Sequence, residues 1–168
     1  MLLASLAALV LVVTAARHLP LKFPGHSGVL WMSLLVAARG VVRKPGSAAL
    51  VGLVGGLVGA LVGVGDKGWM DTFFVYASAG IGVDAVLAIA PYALSSCAAA
   101  GVAGNVVKLG VKALLESWIG VPTGFVVLGW SYPVLAHALF GAAGGLLGYA
   151  FVELLRRVRF DAWVVPRP

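Results

Sequence analysis

Met70-Asp71-Thr72-Phe73-Phe74-Val75-Tyr76-Ala77-Ser78-Ala79-Gly80-Ile81-Gly82-Val83-Asp84-Ala85-Val86-Leu87-Ala88-Ile89-Ala90 decides the fold. Pro91 closes the stretch. A helix that crosses a bilayer needs roughly 20 apolar residues, within a range of about 17–25. This run has that length and is apolar on all sides. The only other structure that spans lipid is a closed β-barrel, built from short strands in which apolar and polar residues alternate. No such alternation is present, so the run predicts a spanning α-helix.

Working outward, five more apolar stretches surround it: Leu2 to Leu19, Gly28 to Val42, Ala48 to Val64, Ser95 to Trp118, and Phe125 to Leu155. The second in chain order is short for a span, and the last is long enough to begin in a loop or to tilt. The breaks between them follow turn chemistry. Pro20 and Pro24 flank Lys22, Arg43-Lys44-Pro45-Gly46 is a polar turn, and Gly65-Asp66-Lys67-Gly68 is another. Pro122 and Gly124 precede the last stretch. The prediction is an all-α polytopic membrane protein, a compact bundle of about six transmembrane helices in one domain over residues 1–168.

Composition supports this. Of the 168 residues, 61% are hydrophobic and 11% charged, and the mean hydropathy is +1.05. A soluble domain is about 25% charged, so this chain lacks the polar side chains to cover a watery surface. The formal net charge is +6. Most basic residues lie between or after the apolar runs, where topology and anionic headgroups explain them, and no nucleic-acid motif accompanies them. The single cysteine, Cys97, lies inside an apolar stretch and reads as a small buried hydrophobe. Met1–Ala16 lacks the basic start of a signal peptide, so it reads as a retained first helix.

Basic residues also predict orientation. With the N-terminus in the cytoplasm and six spans, Arg39, Arg43 and Lys44 face inward, as do Arg156, Arg157, Arg159 and Arg167. Both termini are then cytoplasmic, in a multi-pass protein of the cell membrane. Glycine is abundant, 23 in all. Gly52, Gly55, Gly56, Gly59 and Gly63 share one stretch, and Gly141, Gly144, Gly145 and Gly148 another, at spacings of three and four. Helices in lipid associate through such small-residue faces. They predict close packing within the bundle or docking against a partner membrane protein. Ala4 and Ala8 form a similar pair on the first stretch.

Ionisable groups inside a membrane are costly and need a reason. Asp84 is near the middle of its span. Asn105, Lys108 and Lys112 share a helix face. Antiparallel neighbours would put Asp84 near the level of Asn105, within reach of Lys108. That arrangement is either an internal ion pair fixing the packing or a polar pocket open to the outer face. His137 is alone in the sixth stretch, which speaks against a metal site and leaves a hydrogen bond or a ligand contact. His18 and His26 flank the proline-rich first loop around Lys22, placed to gate or touch a solute. Trp31, Trp69, Trp118, Trp130 and Tyr132 read first as an interfacial belt. Several of them fall on the outer side beside the polar groups, which suits a flat organic solute. No paired metal-spaced histidines, phosphate loop or nucleophile elbow is present, so no enzyme and no cofactor is expected.

Leu19-Pro20-Leu21-Lys22-Phe23-Pro24-Gly25-His26-Ser27-Gly28, a short apolar helix, Arg39-Gly40-Val41-Val42-Arg43-Lys44-Pro45-Gly46 and a Gly-rich helix resemble the front half of substrate-binding S components of energy-coupling factor (ECF) type ABC transporters. His137-Ala138-Leu139-Phe140-Gly141-Ala142-Ala143-Gly144-Gly145-Leu146-Leu147-Gly148 is similar to their last helix, and Ala4 with Ala8 to the alanine motif that meets the coupling subunit. The resemblance implies six helices and an outer solute pocket capped by residues 18–27. It also implies a transmembrane coupling protein, ATPase subunits, and a vitamin-like solute released by toppling. The metal-specific members carry a histidine after the initiator methionine. Leu2 stands there in this chain, which argues against cobalt or nickel.

The candidates for contact with a small organic solute are therefore Asp84, Asn105, Lys108, Lys112, Trp130 and His137. His18, Lys22 and His26 form the gating loop, and Ala4 and Ala8 the partner-docking face. A structural or assembly subunit without a solute pocket is the alternative, and an intramembrane enzyme is a third class.

Overall fold

The computed structural model describes residues 26–61, 63, 69–118 and 129–157. They form five helices: α1 (Ser27–Val42), α2 (Ser47–Leu61), α3 (Trp69–Ile89), α4 (Leu94–Trp118) and α5 (Ser131–Arg157). No strand occurs among the described residues. The stretch Leu2 to Leu19, with Ala4, Ala8 and His18, lies outside them, as do Lys22 and the expected start of the last stretch at Phe125. The expectation of about six spans thus stands at five helices here. Three of these, Met70–Ile89, Leu94–Trp118 and Ser131–Arg157, are long and apolar enough to cross a membrane. The 16-residue α1 and 15-residue α2 are shorter. At about 1.5 Å per residue they reach roughly 24 Å, against about 30 Å of hydrocarbon.

Local chemistry sets the ends. Arg43 takes a left-handed conformation (φ 55°) and its N–H donates to the Arg39 carbonyl at 3.0 Å, ending α1. Gly46 (φ 87°) turns the chain into α2, where a side chain would be strained. Pro91 follows the last turn of α3, which it cannot continue. Pro133 sits in the first turn of α5, where its lost N–H is not needed.

Glycines bring the helices together. A Cβ on Gly52 would lie 2.6 Å from the Tyr76 carbonyl oxygen, and one on Gly56 2.8 Å from that of Phe73. α2 and α3 therefore run antiparallel, backbone to backbone. Gly101 meets Gly141, and Gly145 meets the Cys97 carbonyl, so α4 and α5 are antiparallel too. Gly144 packs under Val29 and Gly148 under Ser33, which makes α1 parallel to α5. α1 lies chiefly along α5 and touches α2, α3 and α4 more thinly. Gly52, Gly56, Gly59, Gly141, Gly144, Gly145 and Gly148 pack within the bundle, whereas Gly63 is exposed. Leucines point the other way: Leu50, Leu53, Leu57 and Leu61 on α2, and Leu135, Leu139, Leu147 and Leu154 on α5, are all exposed. Small residues inside and leucines outside suit a bundle in lipid.

Trp69, Trp118 and Trp130 mark one end of this bundle, the tryptophan end, and Arg39, Arg43, Arg156 and Arg157 the other, the arginine end. Because Gly144 lies thirteen residues beyond Ser131 and packs against the start of α1, that start is sunk roughly 20 Å below the tryptophan end.

Candidate functional site

Among the described residues two groups of polar side chains are buried, and α1 has a hand in both. Toward the arginine end lie Ser47 and Asp84, and toward the tryptophan end lie Thr72, Asn105, Lys108, Glu116 and His137.

Asp84 is held by α1 and α2. Its Oδ1 is 3.4 Å from Arg39 Nε, and its Oδ2 accepts the Ala49 backbone N–H at 2.7 Å. Arg39 Nη2 donates to the Leu87 carbonyl at 3.1 Å. The acid thus satisfies an N–H in the first turn of α2, and the guanidinium caps the last turn of α3. Removing one partner of such a pair strands the other charge, at a cost of about 3–5 kcal/mol. Asp84 thus pairs with Arg39, whereas the sequence places Lys108 within its reach. Level is not the reason, because Gly82 sits on Gly104, one residue from Asn105. Direction is: Asp84 lies one turn beyond Gly80, on the face that meets α2, and the α4 face carries Ala79, Gly82 and Val83.

The other group surrounds the sunken start of α1. Asn105 is fully buried, and its Nδ2 donates to the His137 carbonyl at 2.8 Å. Its amide lies against Gly28, so close that any Cβ there would collide with it. One residue away, Gly104 is the point where Met32 of α1 and Ala79 and Val83 of α3 converge on α4. Trp31, on the same turn of α1 as Met32, stacks on Tyr76 at 4.4 Å between centroids, with the rings tilted by 44°. Asn105 Oδ1 and Trp31 Nε1, both in buried residues here, have no hydrogen-bond partner among the described residues, as is also true of Arg39 Nε, Ser47 Oγ and Asp84 Oδ1 elsewhere. An unsatisfied buried group costs about 1–3 kcal/mol, so such atoms call for an explanation.

His137 is fixed beside them. Its Nδ1 is 2.8 Å from the Pro133 carbonyl, which can only accept, so Nδ1 carries the proton and Nε2 is left as an acceptor. Lys108 and Lys112 are near enough for their charge to bear on this ring. Lys112 also pairs with Glu116 at 4.0 Å, one turn on. Trp130 is more than half exposed at the tryptophan end, just before α5. His26 caps the start of α1 through its carbonyl, which accepts the Val29 N–H at 3.2 Å. The structure therefore brings Asn105, Lys108, Lys112 and His137 together, leaves Trp130 toward the rim, and places Asp84 in a separate pair. Sequence reasoning missed Trp31, read as an interfacial anchor, and Arg39, read as a mark of topology.

The chain has counterparts in family and in fold. The family described as the permease component of an ABC-type cobalt transport system matches residues 2–110, well over half of the chain. This chain belongs to that family. A solved structure, the crystal structure of an S-component of ECF transporter, superposes with a TM-score of 0.70 at 20% identity, covering 95% of this chain and 86% of that one. This permease component therefore has the S-component fold, and the resemblance read from the loops and the last helix is borne out. It is a membrane transport protein of a family that is not an enzyme class. No curated protein matches it.

Proposed function

We propose that this protein is the membrane-embedded subunit that captures a small organic, vitamin-like solute, for uptake with a transmembrane coupling protein and ATPase subunits. The carrying observation is the pair of buried atoms without partners, the Asn105 Oδ1 acceptor and the Trp31 Nε1 donor, at the sunken start of α1. A bound solute that offers a donor to one and an acceptor to the other removes both penalties at once. Lys108 and Lys112 favour anionic or carbonyl character in that solute, His137 Nε2 adds an acceptor, and Trp130 stands at the rim. The tryptophan end faces outward in this reading, with both termini in the cytoplasm.

A cobalt ion as cargo is favoured by the family's description. Among the described residues no three metal-ligating side chains lie together, and the groups at the junction are an indole, an amide and lysines, which suit an organic molecule better. The alternative of a structural or assembly subunit accounts for the Arg39–Asp84 pair, but gives Trp31 Nε1 and Asn105 Oδ1 no role.

The test is mass spectrometry of small molecules released from the detergent-solubilised protein, with elemental analysis for cobalt on the same sample. One organic compound near one equivalent supports the reading. Stoichiometric cobalt would replace it with the metal, and neither would favour the structural subunit.

A further inference from the structure

We infer that the outer face of α2 is a contact surface for a locally thinned bilayer, and that the chain gathers phospholipids with shorter acyl chains along it. The inference goes beyond solute capture and holds whether or not a solute binds.

The helices do not present equal apolar heights to lipid. Exposed large apolar side chains run from Met70 to Ile89 on α3, from Leu94 to Trp118 on α4 and from Leu135 to Leu154 on α5. At about 1.5 Å per residue each of these spans is roughly 28 Å or more, which matches a hydrocarbon layer of about 30 Å. On α2 the exposed series Leu50, Leu53, Leu57 and Leu61 covers roughly 16 Å, and the whole helix roughly 22 Å. Spacings of three and four put this series on one face. The opposite face, with Ala48, Val51, Gly52, Gly55, Gly56 and Gly59, is buried. α2 lies against α3 and more thinly against α1, which is itself only 16 residues long. Among the described helices, α1 and α2 thus form the low side of the bundle.

α2 cannot make up the difference by moving. Gly52, Gly56 and Gly80 seat it on the α3 backbone, so it neither slides nor tilts alone. Exposed Arg43 and Lys44 stand in the turn before it, and Asp66 and Lys67 follow soon after it in the sequence. Charged groups are costly in hydrocarbon, and snorkelling of long side chains closes only part of the gap. The bilayer is the softer partner. It thins beside a short apolar surface, and shorter acyl chains thin at least cost.

The test compares two faces of the same molecule. In the full chain with Cys97→Ala, a single bimane label is placed at Leu57→Cys on α2 or at Leu147→Cys on α5. The two leucines are exposed alike, at 52% and 51%. Each labelled protein is reconstituted in dioleoylphosphatidylcholine mixed with a brominated phosphatidylcholine of palmitoleoyl, oleoyl or eicosenoyl chain length. Quenching of the label gives the relative binding constant of each lipid at that face. The label at position 57 should favour palmitoleoyl over eicosenoyl length by about twofold or more, and the label at position 147 should favour oleoyl length. Where the first label prevents folding, Leu50→Cys on the same stripe takes its place.

One chain-length profile shared by both faces overturns the inference. So does an α2 label that favours the longer chains. An α2 label that no brominated lipid quenches overturns it as well, because protein, either the Leu2 to Leu19 stretch or a second copy of the chain, then covers the face. The measurement needs no solute, so its failure leaves the capture reading untouched, and a chain that shows the two profiles but retains no small molecule contradicts capture alone.

Discussion

Asn105 uses one arm of its amide on the His137 carbonyl and holds the other beside α1 with no partner. Gly28 makes that placement possible. Gly28→Ala drives a methyl into the amide, and such overpacking costs about 1–3 kcal/mol. A fall in melting temperature together with loss of retained solute is expected, read by thermal unfolding in detergent. Trp31→Phe separates packing from binding. It keeps most of the stacking on Tyr76 and deletes the N–H without a partner, so the empty protein should melt within a few degrees of wild type. Solute affinity should fall about five- to tenfold, the worth of one hydrogen bond. A titration that finds unchanged affinity would remove Trp31 from the site. Tyr92 gives a pH signature outside the spans. Burial is the main cause that pushes its phenol above the ordinary tyrosine range, so the folded protein holds it neutral. Its contribution is whole below about pH 10, the unfolded value, and is lost as the pH rises further. Tyr92→Phe should therefore flatten the alkaline fall in melting temperature.

The helices owe their positions to composition, and their contacts to spacing. α3 was legible because its run is long, apolar on all sides and closed by Pro91. The glycine faces of α2 and α5 were legible because spacings of three and four align on one side. The partner of Asp84 was not, because it depends on how α3 is rotated about its axis against two neighbours, and an apolar run encodes that rotation weakly. Arg39 was misread for a related reason: at the end of a span a basic residue votes on topology, yet here it turns inward to the Leu87 carbonyl. Trp31 reads as a belt residue when the start of its short apolar stretch is set at the interface, whereas the first turn of α1 is sunk beside Asn105 and Gly144. The element scale also yields a direct test of the glycine contact between α2 and α3. Gly56→Leu should unseat α2 from the Phe73 backbone and abolish folding, and Leu57→Gly, on the exposed face of the same helix, should cost about 1 kcal/mol through helix propensity. Melting curves of the two variants compare them.

At the scale of the whole molecule, the five described helices bury polar side chains in two places, the Arg39–Asp84 pair toward the arginine end and a junction lined by Asn105, Trp31 and His137 below the tryptophan end. Orientation decides whether that junction faces the medium. Tyr132→Cys should react with a membrane-impermeant maleimide in intact cells, and Arg157→Cys only after lysis. The reverse pattern would turn the protein over. What remains is whether the junction holds a molecule. Native mass spectrometry of the intact protein, released gently from detergent, asks this most directly. Wild type is predicted to carry one small-molecule adduct that Asn105→Leu loses while still folding. An unadorned wild-type mass, with an equally well-folded Asn105→Leu, would contradict the account.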